Sequence, residues 1–400
     1  MSARATAAVE DALRRAERLE PEIRAWVRLD ADGARAAARQ APDGPLHGMP
    51  FGVKDIIDVA GLPTECGSPL RRGRTATRDA WLVHRLRLAG AVPLGKTVTT
   101  EFAYFRPGPT RNPRDTAHTP GGSSSGSAAA VGAGVVPLAL GSQTAGSLTR
   151  PAAYCGVAGY VAPVGAWPTD GFAGLSPSLD APGLLTATVA DLAAVIEAVD
   201  GTTAEETPPA PRVAVWSGGD LARIDPAMRS ALDTTARALM GSAGDRPGEV
   251  ESVVGPPRLA AAHAVVMAHE AARALADEAR RPEALSEQLN ALLEEGRATS
   301  EADHRAALAT ARTARAAALD LLSRFDAILA PAAPGPAPHG LDATGTPVLS
   351  RPWQLLGLPV VTVPGHRDPA GMPLGLQLVG HPDRVGRLLG VARLAEETTR

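Results

Sequence analysis

The chain has 400 residues, of which 44% are hydrophobic and 21% charged, and its formal net charge is −3. A near-neutral chain without a basic block is not typical of nucleic-acid binding proteins, and two cysteines, Cys66 and Cys155, exclude a disulfide scaffold and show no zinc-type spacing. No apolar run reaches the roughly 20 residues of a membrane span, and the N-terminus is polar and unlike a signal peptide. We therefore expect a cytoplasmic protein that binds neither nucleic acid nor membrane.

The first part of the chain predicts two helices within residues 5–40, the first ending near Pro21. A short apolar strand at 50–53 follows and carries Lys54 near its end. A lysine between apolar strand residues must find partners or lose its proton. The alternative is an edge-strand lysine whose ammonium reaches water. The sequence at this point leaves both interpretations open.

Residues 80–97 contain a formal match to a phosphate-binding loop, from Gly90 through Gly95-Lys96-Thr97. In such a loop a strand precedes the first glycine and a helix follows the lysine. Here a helix at 80–90 comes first, the apolar strand 91–95 lies between the glycines, and a β-branched run follows. This order argues against nucleotide binding.

The segment 119–156, TPGGSSSGSAAAVGAGVVPLALGSQTAGSLTRPAAYCG, is poor in charge and rich in small residues. It predicts a Gly/Ser turn at 121–126, a small-residue helix at 127–134, an apolar run at 135–140 and a second polar turn at 141–147. Ser123 and Ser147 each follow a glycine, which permits tight backbone geometry, and the second turn can aim successive N–H groups at an anion.

Hydrolytic chemistry needs a nucleophile, a base and oxyanion donors. The only histidine near these turns is His118, so the base is not predicted to be histidine. Lysine serves as a base when burial lowers its pKa, which makes Lys54 the candidate. Ser147, Ser123 and Lys54 are thus a candidate set, although spacing alone does not establish that they meet.

The remainder alternates helices and strands, which predicts an α/β architecture. No linker or repeat is visible, so we expect a single domain. His263 and His269 are six residues apart on a helical stretch and do not share a face closely enough to bind metal. The expected elements are a helix at 186–199, a strand at 212–216, helices within 226–240 and 257–317, a strand at 325–331, a long loop at 332–349, strands at 355–364 and 374–379, and a helix at 384–397.

Several motifs resemble the amidase signature family. They are PLHGMPFGVKD, GKTVTTEFAYF, TRNP, TPGGSSSGSAAAVGAGVVPLALGSQTAGS, RPAAYCGVAGY, LSPSLDAPGLL, PWQLLGLPVVTVP and GMPLGLQLVG. The resemblance implies one domain over residues 1–400, with a central mixed β-sheet covered by helices on both faces. Within it, 45–200 carry the core motifs, 200–320 form a diffuse helical region, and 320–395 supply C-terminal strands that complete the core.

The resemblance also implies roles for individual residues. Lys54 matches the family base, Ser123 the bridging serine held by a cis peptide, and Ser147 the nucleophile. The backbone N–H groups of Thr144, Ala145, Gly146 and Ser147 would bind the oxyanion. The hydroxyl network would need no cofactor and no metal.

Two departures from the family pattern stand out near Ser147. Ala145 replaces a glycine, and if this position needs positive φ, alanine strains it by roughly 1 kcal/mol or more. Arg150 lies three residues after the nucleophile, an arrangement that resembles malonamidase, where the arginine pairs with a substrate carboxylate; the alternative is a structural arginine. We predict substrate contacts for Arg150, Gln143 and Ser124.

The predicted function is hydrolysis of a small amide to a carboxylate and ammonia or an amine, with malonamate as an example of a carboxylate-bearing substrate. The expected partner is this small molecule, with a homodimer as the expected assembly. The alternatives are the glutaminase-type subunit of a tRNA amidotransferase, which needs partner subunits, and a weakly active or inactive family member. We expect the pocket to be built partly from the loops at 102–110, 166–180 and 332–350.

Overall fold

A computed structural model describes residues 2–206, 211–240 and 249–399. The strands are β1 Trp26–Leu29, β2 Pro50–Lys54, β3 Val92–Thr97, β4 Leu138–Gln143, β5 Ala158–Val161, β6 Ala181–Thr186, β7 Val213–Val215, β8 Ala327–Pro331, β9 Val360–Arg367 and β10 Pro373–Val379. The helices are α1 Ser2–Ile23, α2 Ala31–Gln40, α3 Trp81–Leu88, α4 Ser125–Gly132, α5 Thr149–Cys155, α6 Val189–Asp200, α7 Pro226–Met240, α8 Glu249–Val254, α9 Pro256–Ala274, α10 Glu287–Ala298, α11 Glu301–Arg324, α12 Arg351–Leu355 and α13 Val385–Glu397.

The ten strands form one mixed sheet in the order β1-β3-β2-β4-β6-β5-β9-β10-β8-β7. Strand β2 runs parallel to both β3 and β4, whereas β4 pairs antiparallel with β6. Strands β2, β3, β4 and β6 are buried along their whole length, as expected for strands covered on both faces. The expectation of an α/β fold with a central mixed sheet is confirmed.

The sheet places the functional segments side by side. Val53 pairs with Leu140, so Lys54 lies at the carboxyl end of β2 beside the last residues of β4. The carboxyl ends of neighbouring parallel strands meet at one edge, where ligands of α/β proteins bind. The polar turn that follows β4 therefore lies next to Lys54.

Several element boundaries differ from the sequence-based expectations. The first helix continues through Pro21 to Ile23, and the four-residue strand β1, too short to show a period, pairs at the sheet edge with β3. Strand β4 extends through residues expected to form a turn, because Gly141, Ser142 and Gln143 continue the antiparallel pairing with β6. Strand β5 is not among the elements expected from the sequence.

Within the described residues, no helix is long and apolar enough to cross a membrane.

Candidate active site

Lys54 is completely buried at the end of β2. Its Nζ lies 2.6 Å from Ser123 Oγ and 2.8 Å from Ser142 Oγ. No carboxylate of the described residues forms an ion pair with it. Burial therefore lowers the pKa of Lys54 to about 7, although the charge of Asp180 acts in the opposite direction. A large fraction of Lys54 is neutral near pH 7 and able to accept a proton.

Lys96, the other lysine buried in the sheet, makes an instructive contrast. Its Nζ lies 2.9 Å from Asp55 Oδ1 and donates to the Pro63 carbonyl and Thr64 Oγ1. A buried ammonium with a carboxylate and further acceptors is satisfied as a charge. Lys96 therefore belongs to a structural ion pair, whereas Lys54 has hydroxyl partners suited to proton transfer.

Ser123 precedes helix α4 and is held against Lys54 by the Gly/Ser turn. The Gly122–Ser123 peptide bond is cis, as the family resemblance implies. Gly121 has a φ of 80°, which only glycine adopts readily. A Cβ at Gly122 would lie 2.8 Å from Thr344 Cγ2, so the loop at 332–349 closes directly over this turn.

Ser147 lies in the turn between β4 and α5, with 8% of its surface exposed. Within the described residues, no acceptor binds the main-chain N–H groups of Thr144 through Ser147. Four successive unpaired donors beside a partly exposed hydroxyl form a turn that can bind an anion. A Cβ at Gly146 would lie 2.9 Å from Pro347 Cβ, which explains a glycine immediately before Ser147.

Two residues that the sequence did not single out hold this turn from outside. Thr144 Oγ1 donates to Asp180 Oδ1 at 2.5 Å, and Asp180 Oδ2 accepts from the N–H groups of Leu175 and Ser176. His263 Nε2 lies 2.8 Å from the Thr144 carbonyl oxygen. Burial lowers the pKa of His263 to about 3, so it is neutral and its Nε2–H donates.

Ala145 adopts a negative φ. The strain considered from the sequence therefore does not arise, and alanine fits the backbone at this position. The Ala145 side chain is largely buried and lines the pocket beside Ser147.

Gln143 and Ser124 lie behind the turn and do not line the pocket. Gln143 Oε1 accepts from the N–H groups of Leu148 and Thr149, which caps helix α5. Ser124 Oγ contacts the main chain of Ser142. Both side chains thus stabilise the site from behind, and their contact with substrate stays a prediction.

Arg150 is buried and lines the pocket, and its two terminal nitrogens bind the protein, whereas its Nε has no acceptor among the described residues. Nη1 donates to the Gly345 carbonyl at 2.7 Å, and Nη2 donates to the Gly122 carbonyl at 2.6 Å and to Thr344 Oγ1 at 3.1 Å. Burial lowers its pKa to about 10, which leaves it charged at neutral pH. Arg150 joins helix α5 to both loops that surround Ser123.

Ser123, Ser147 and Arg150 line one narrow pocket. The pocket takes Ala103, Tyr104 and Phe105 from the first expected loop, Leu175 from the second, and Thr344 and Pro347 from the third. Met267 of α9 adds a residue from the region that the sequence left diffuse.

The sequence carried a weak signal for the residues it missed. Asp180 lies in LSPSLDAPGLL, one of the matching motifs, and a buried aspartate between small residues requires donors. Ser142 lies one strand residue from Gln143, but only the parallel pairing of β2 and β4 brings it to Lys54. His263 lies on an alanine-rich helix whose packing the sequence does not reveal.

His269, Glu301 and His304 bring potential metal ligands within 4.8 Å of one another. Protein groups already engage them: Arg273 Nη2 donates to Glu301 at 2.6 Å, and His304 Nε2 lies 3.1 Å from Glu270. We assign this group to the packing of α9 against α11.

Residues 7–389 match the profile of the amidase family. The chain belongs to this family. It is 32% identical to one of the subunits of glutamyl-tRNA(Gln) amidotransferase from Symbiobacterium thermophilum, an alignment that covers 98% of this chain and 93% of the relative.

Solved structures agree with this assignment. A chain from a vestigial protein complex that reveals the origins of an s-triazine catabolic enzyme superposes with a TM-score of 0.87 at 31% identity, covering 98% of this chain and 95% of that one. The peptide amidase of Stenotrophomonas maltophilia superposes with a TM-score of 0.81 at 28% identity, covering 99% and 94%. The protein is an amidase, an enzyme that hydrolyses amide C–N bonds.

Proposed function

We propose that this amidase hydrolyses the carboxamide of a small, carboxylate-bearing substrate, with Ser147 as nucleophile, Ser123 as proton relay and Lys54 as base. The observation that carries the proposal is the 2.6 Å contact between Lys54 Nζ and Ser123 Oγ, inside the pocket that also exposes Ser147. Burial allows Lys54 to act as a base, because it favours the neutral amine near pH 7.

In the proposed reaction the Ser147 hydroxyl passes its proton to Ser123, and Ser123 passes its own proton to neutral Lys54. Ser147 Oγ forms a bond to the amide carbon, and the main-chain N–H groups of the turn bind the resulting oxyanion. The C–N bond breaks as the proton returns through Ser123 to the leaving nitrogen. Water, activated by the same relay, then cleaves the acyl-serine ester and releases the carboxylate.

The first candidate for the physiological role is the glutaminase-type subunit of an amidotransferase. The similarity to subunits of glutamyl-tRNA(Gln) amidotransferases over nearly the whole of both chains supports this role better than a free-standing, malonamate-type amidase. Glutamine carries a carboxamide and a carboxylate, so it belongs to the proposed substrate class. In this role the ammonia released at Ser147 would be used by partner subunits.

The second candidate is an amidase that acts without partners. The similarity to peptide amidase, and the narrow pocket, support it. The two candidates share the chemistry at Ser147 and differ in acyl donor and in dependence on partners. A cytoplasmic location and a homodimer stay predictions under both.

The test measures ammonia release by the purified chain from glutamine, malonamate and acetamide. Ser147→Ala is expected to abolish release from every substrate that is turned over, and denatured wild-type protein that has reacted with substrate should carry an acyl group on the peptide containing Ser147. Retention of activity by Ser147→Ala would overturn the mechanism. Release from malonamate well above release from glutamine, by the chain alone, would favour the second candidate.

A further inference from the structure

Arg351 is a second arginine at the pocket, and it comes from a different part of the chain than Arg150. It is the first residue of the short helix α12, at the end of the loop that closes over the Gly/Ser turn. Its side chain lines the same pocket as Ser147, together with Tyr104 and Met267. Arg351 therefore faces the space that the substrate must occupy.

The guanidinium of Arg351 has no anionic partner in the described part of the chain. It takes part in no ion pair or hydrogen bond there, and its Nε is buried without an acceptor. The exposed Glu295 acts on its charge without forming an ion pair. A half-buried, always charged group with unused donors is costly unless a ligand satisfies it.

The pocket itself offers nothing to neutralise this charge. Among the residues that line it are two arginines and no aspartate or glutamate. Asp180 and its donors lie on the far side of Thr144. Burial raises the pKa of Tyr104, so its phenol stays protonated and is a further donor rather than an anion. The pocket thus presents a net positive wall to the substrate.

Arg150 also has an Nε without an acceptor among the described residues, but it cannot supply the same bidentate contact, because its Nη2 is committed. A guanidinium binds a carboxylate bidentately through Nη1 with Nη2, or through Nε with Nη2. Both pairs include Nη2, whose two hydrogens already go to the Gly122 carbonyl and to Thr344 Oγ1. Arg150 would have to release the turn that holds Ser123 before it could bind a carboxylate in this way. Arg150 is therefore a positioning residue.

We propose that Arg351 is the residue that selects the substrate, by binding a carboxylate that lies a few bonds from the scissile amide. This inference rests on the proposed function at Ser147 and names its specificity residue. It assigns to Arg351 the carboxylate-binding role that the sequence suggested for Arg150. Amides that carry a positive charge at the same place are expected to be rejected.

The kinetic test compares matched pairs of substrates that differ only in charge. Malonamate and succinamate carry a carboxylate where malonamide and succinamide carry a neutral carboxamide. Arg351→Met is expected to lower kcat/KM for the better acid by about a hundredfold, mainly through KM, while kcat/KM for its diamide changes less than threefold. Arg351→Lys should restore part of the loss, because lysine supplies the charge without the fork.

Arg150→Met is the matched comparison. It is expected to lower kcat for the acid and the diamide alike, since it disturbs Ser123 rather than the substrate. Equal losses for acid and diamide in Arg351→Met, or no loss for the acid, would overturn the proposal. A loss confined to the acid in Arg150→Met would return the role to Arg150.

A binding measurement tests the role of Arg351 independently of the proposed reaction. The Ser147→Ala variant is not expected to turn over substrate, so calorimetry with this variant should detect the binding of malonate or succinate alone. Adding Arg351→Met should weaken that binding at least tenfold. Unchanged binding would contradict the role of Arg351 even if the amidase reaction stands. Loss of binding in the double variant, together with wild-type protein that releases no ammonia, would support the anion site and overturn the proposed function. Circular dichroism melting curves confirm that each variant is folded.

Discussion

The lowered pKa of Lys54 predicts how the activity depends on pH. Only neutral Lys54 accepts a proton from Ser123, and its pKa of about 7 replaces an ordinary value of 10.5. At pH 6 about 9% of Lys54 is neutral and at pH 8 about 91%, so kcat/KM should rise about tenfold between these values and then level off. An unshifted lysine would give a rate that is still rising at pH 9.

The assay follows initial rates of ammonia release between pH 5.5 and 9 at constant ionic strength. Malonamate is a suitable substrate, because its carboxylate does not titrate in this range. Arg150 and Arg351 stay charged, and His263 stays neutral above pH 5 because its pKa is about 3. A flat profile, or a midpoint above pH 9, would refute the assignment of Lys54 as the buried base.

A stability measurement checks the same pKa without catalysis. Between pH 7 and 10.5 the unfolded chain holds a proton on Lys54 that the folded chain does not, so the free energy of unfolding rises with pH. From pH 6 to pH 8 the wild-type protein should gain about 1.4 kcal/mol relative to Lys54→Met, which corresponds to one factor of ten. His263 titrates equally in both proteins and cancels. A difference that does not change with pH would contradict the lowered pKa.

Further predictions concern the two turns and their supports. Ser123→Ala should lower kcat by about a hundredfold or more, as expected for loss of a proton relay. The control is Ser125→Ala, which removes a hydroxyl that contacts the Val98 carbonyl and should change kcat by less than about threefold. Equal losses of kcat in the two variants would contradict the relay role of Ser123. Ala145→Gly should leave kcat within about twofold and cost roughly 0.5–1 kcal/mol of stability, since alanine is unstrained there; a large gain in activity would show that the side chain obstructs the turn. Asp180→Asn should lower kcat more than it raises KM, because Asp180 acts through Thr144 on the oxyanion donors; a change in KM alone, measured by steady-state kinetics, would place it at the substrate instead.

The sequence identified the candidate site residues because they occur in dense local motifs. The Gly/Ser turn and the AGS turn identified Ser123 and Ser147, and the apolar neighbours of Lys54 marked it as a lysine in need of partners. Alternation of helices and strands determined the α/β class. These features lie within short segments of the chain, so they can be recognised in the sequence without knowledge of the fold.

Tertiary structure alone decided how these pieces act together. The parallel pairing of β2 with β4 brings Lys54 to Ser142 and to the following turn, although 88 residues separate the two hydrogen-bonded side chains. The sequence left open whether Lys54 is buried, and its complete burial sets the pKa. The backbone at Ala145 decided that no strain arises there, which the residue type could not show.

The two arginines illustrate the same division. Arg150 stood out because it lies three residues after Ser147, yet long-range hydrogen bonds to the Gly122 and Gly345 carbonyls hold its two terminal nitrogens. Arg351 has no motif to mark it, and only the packing of α12 beside the catalytic turn brings it to the pocket. Which charges are neutralised by the protein depends on contacts between distant segments, and those contacts exist only once the chain is folded.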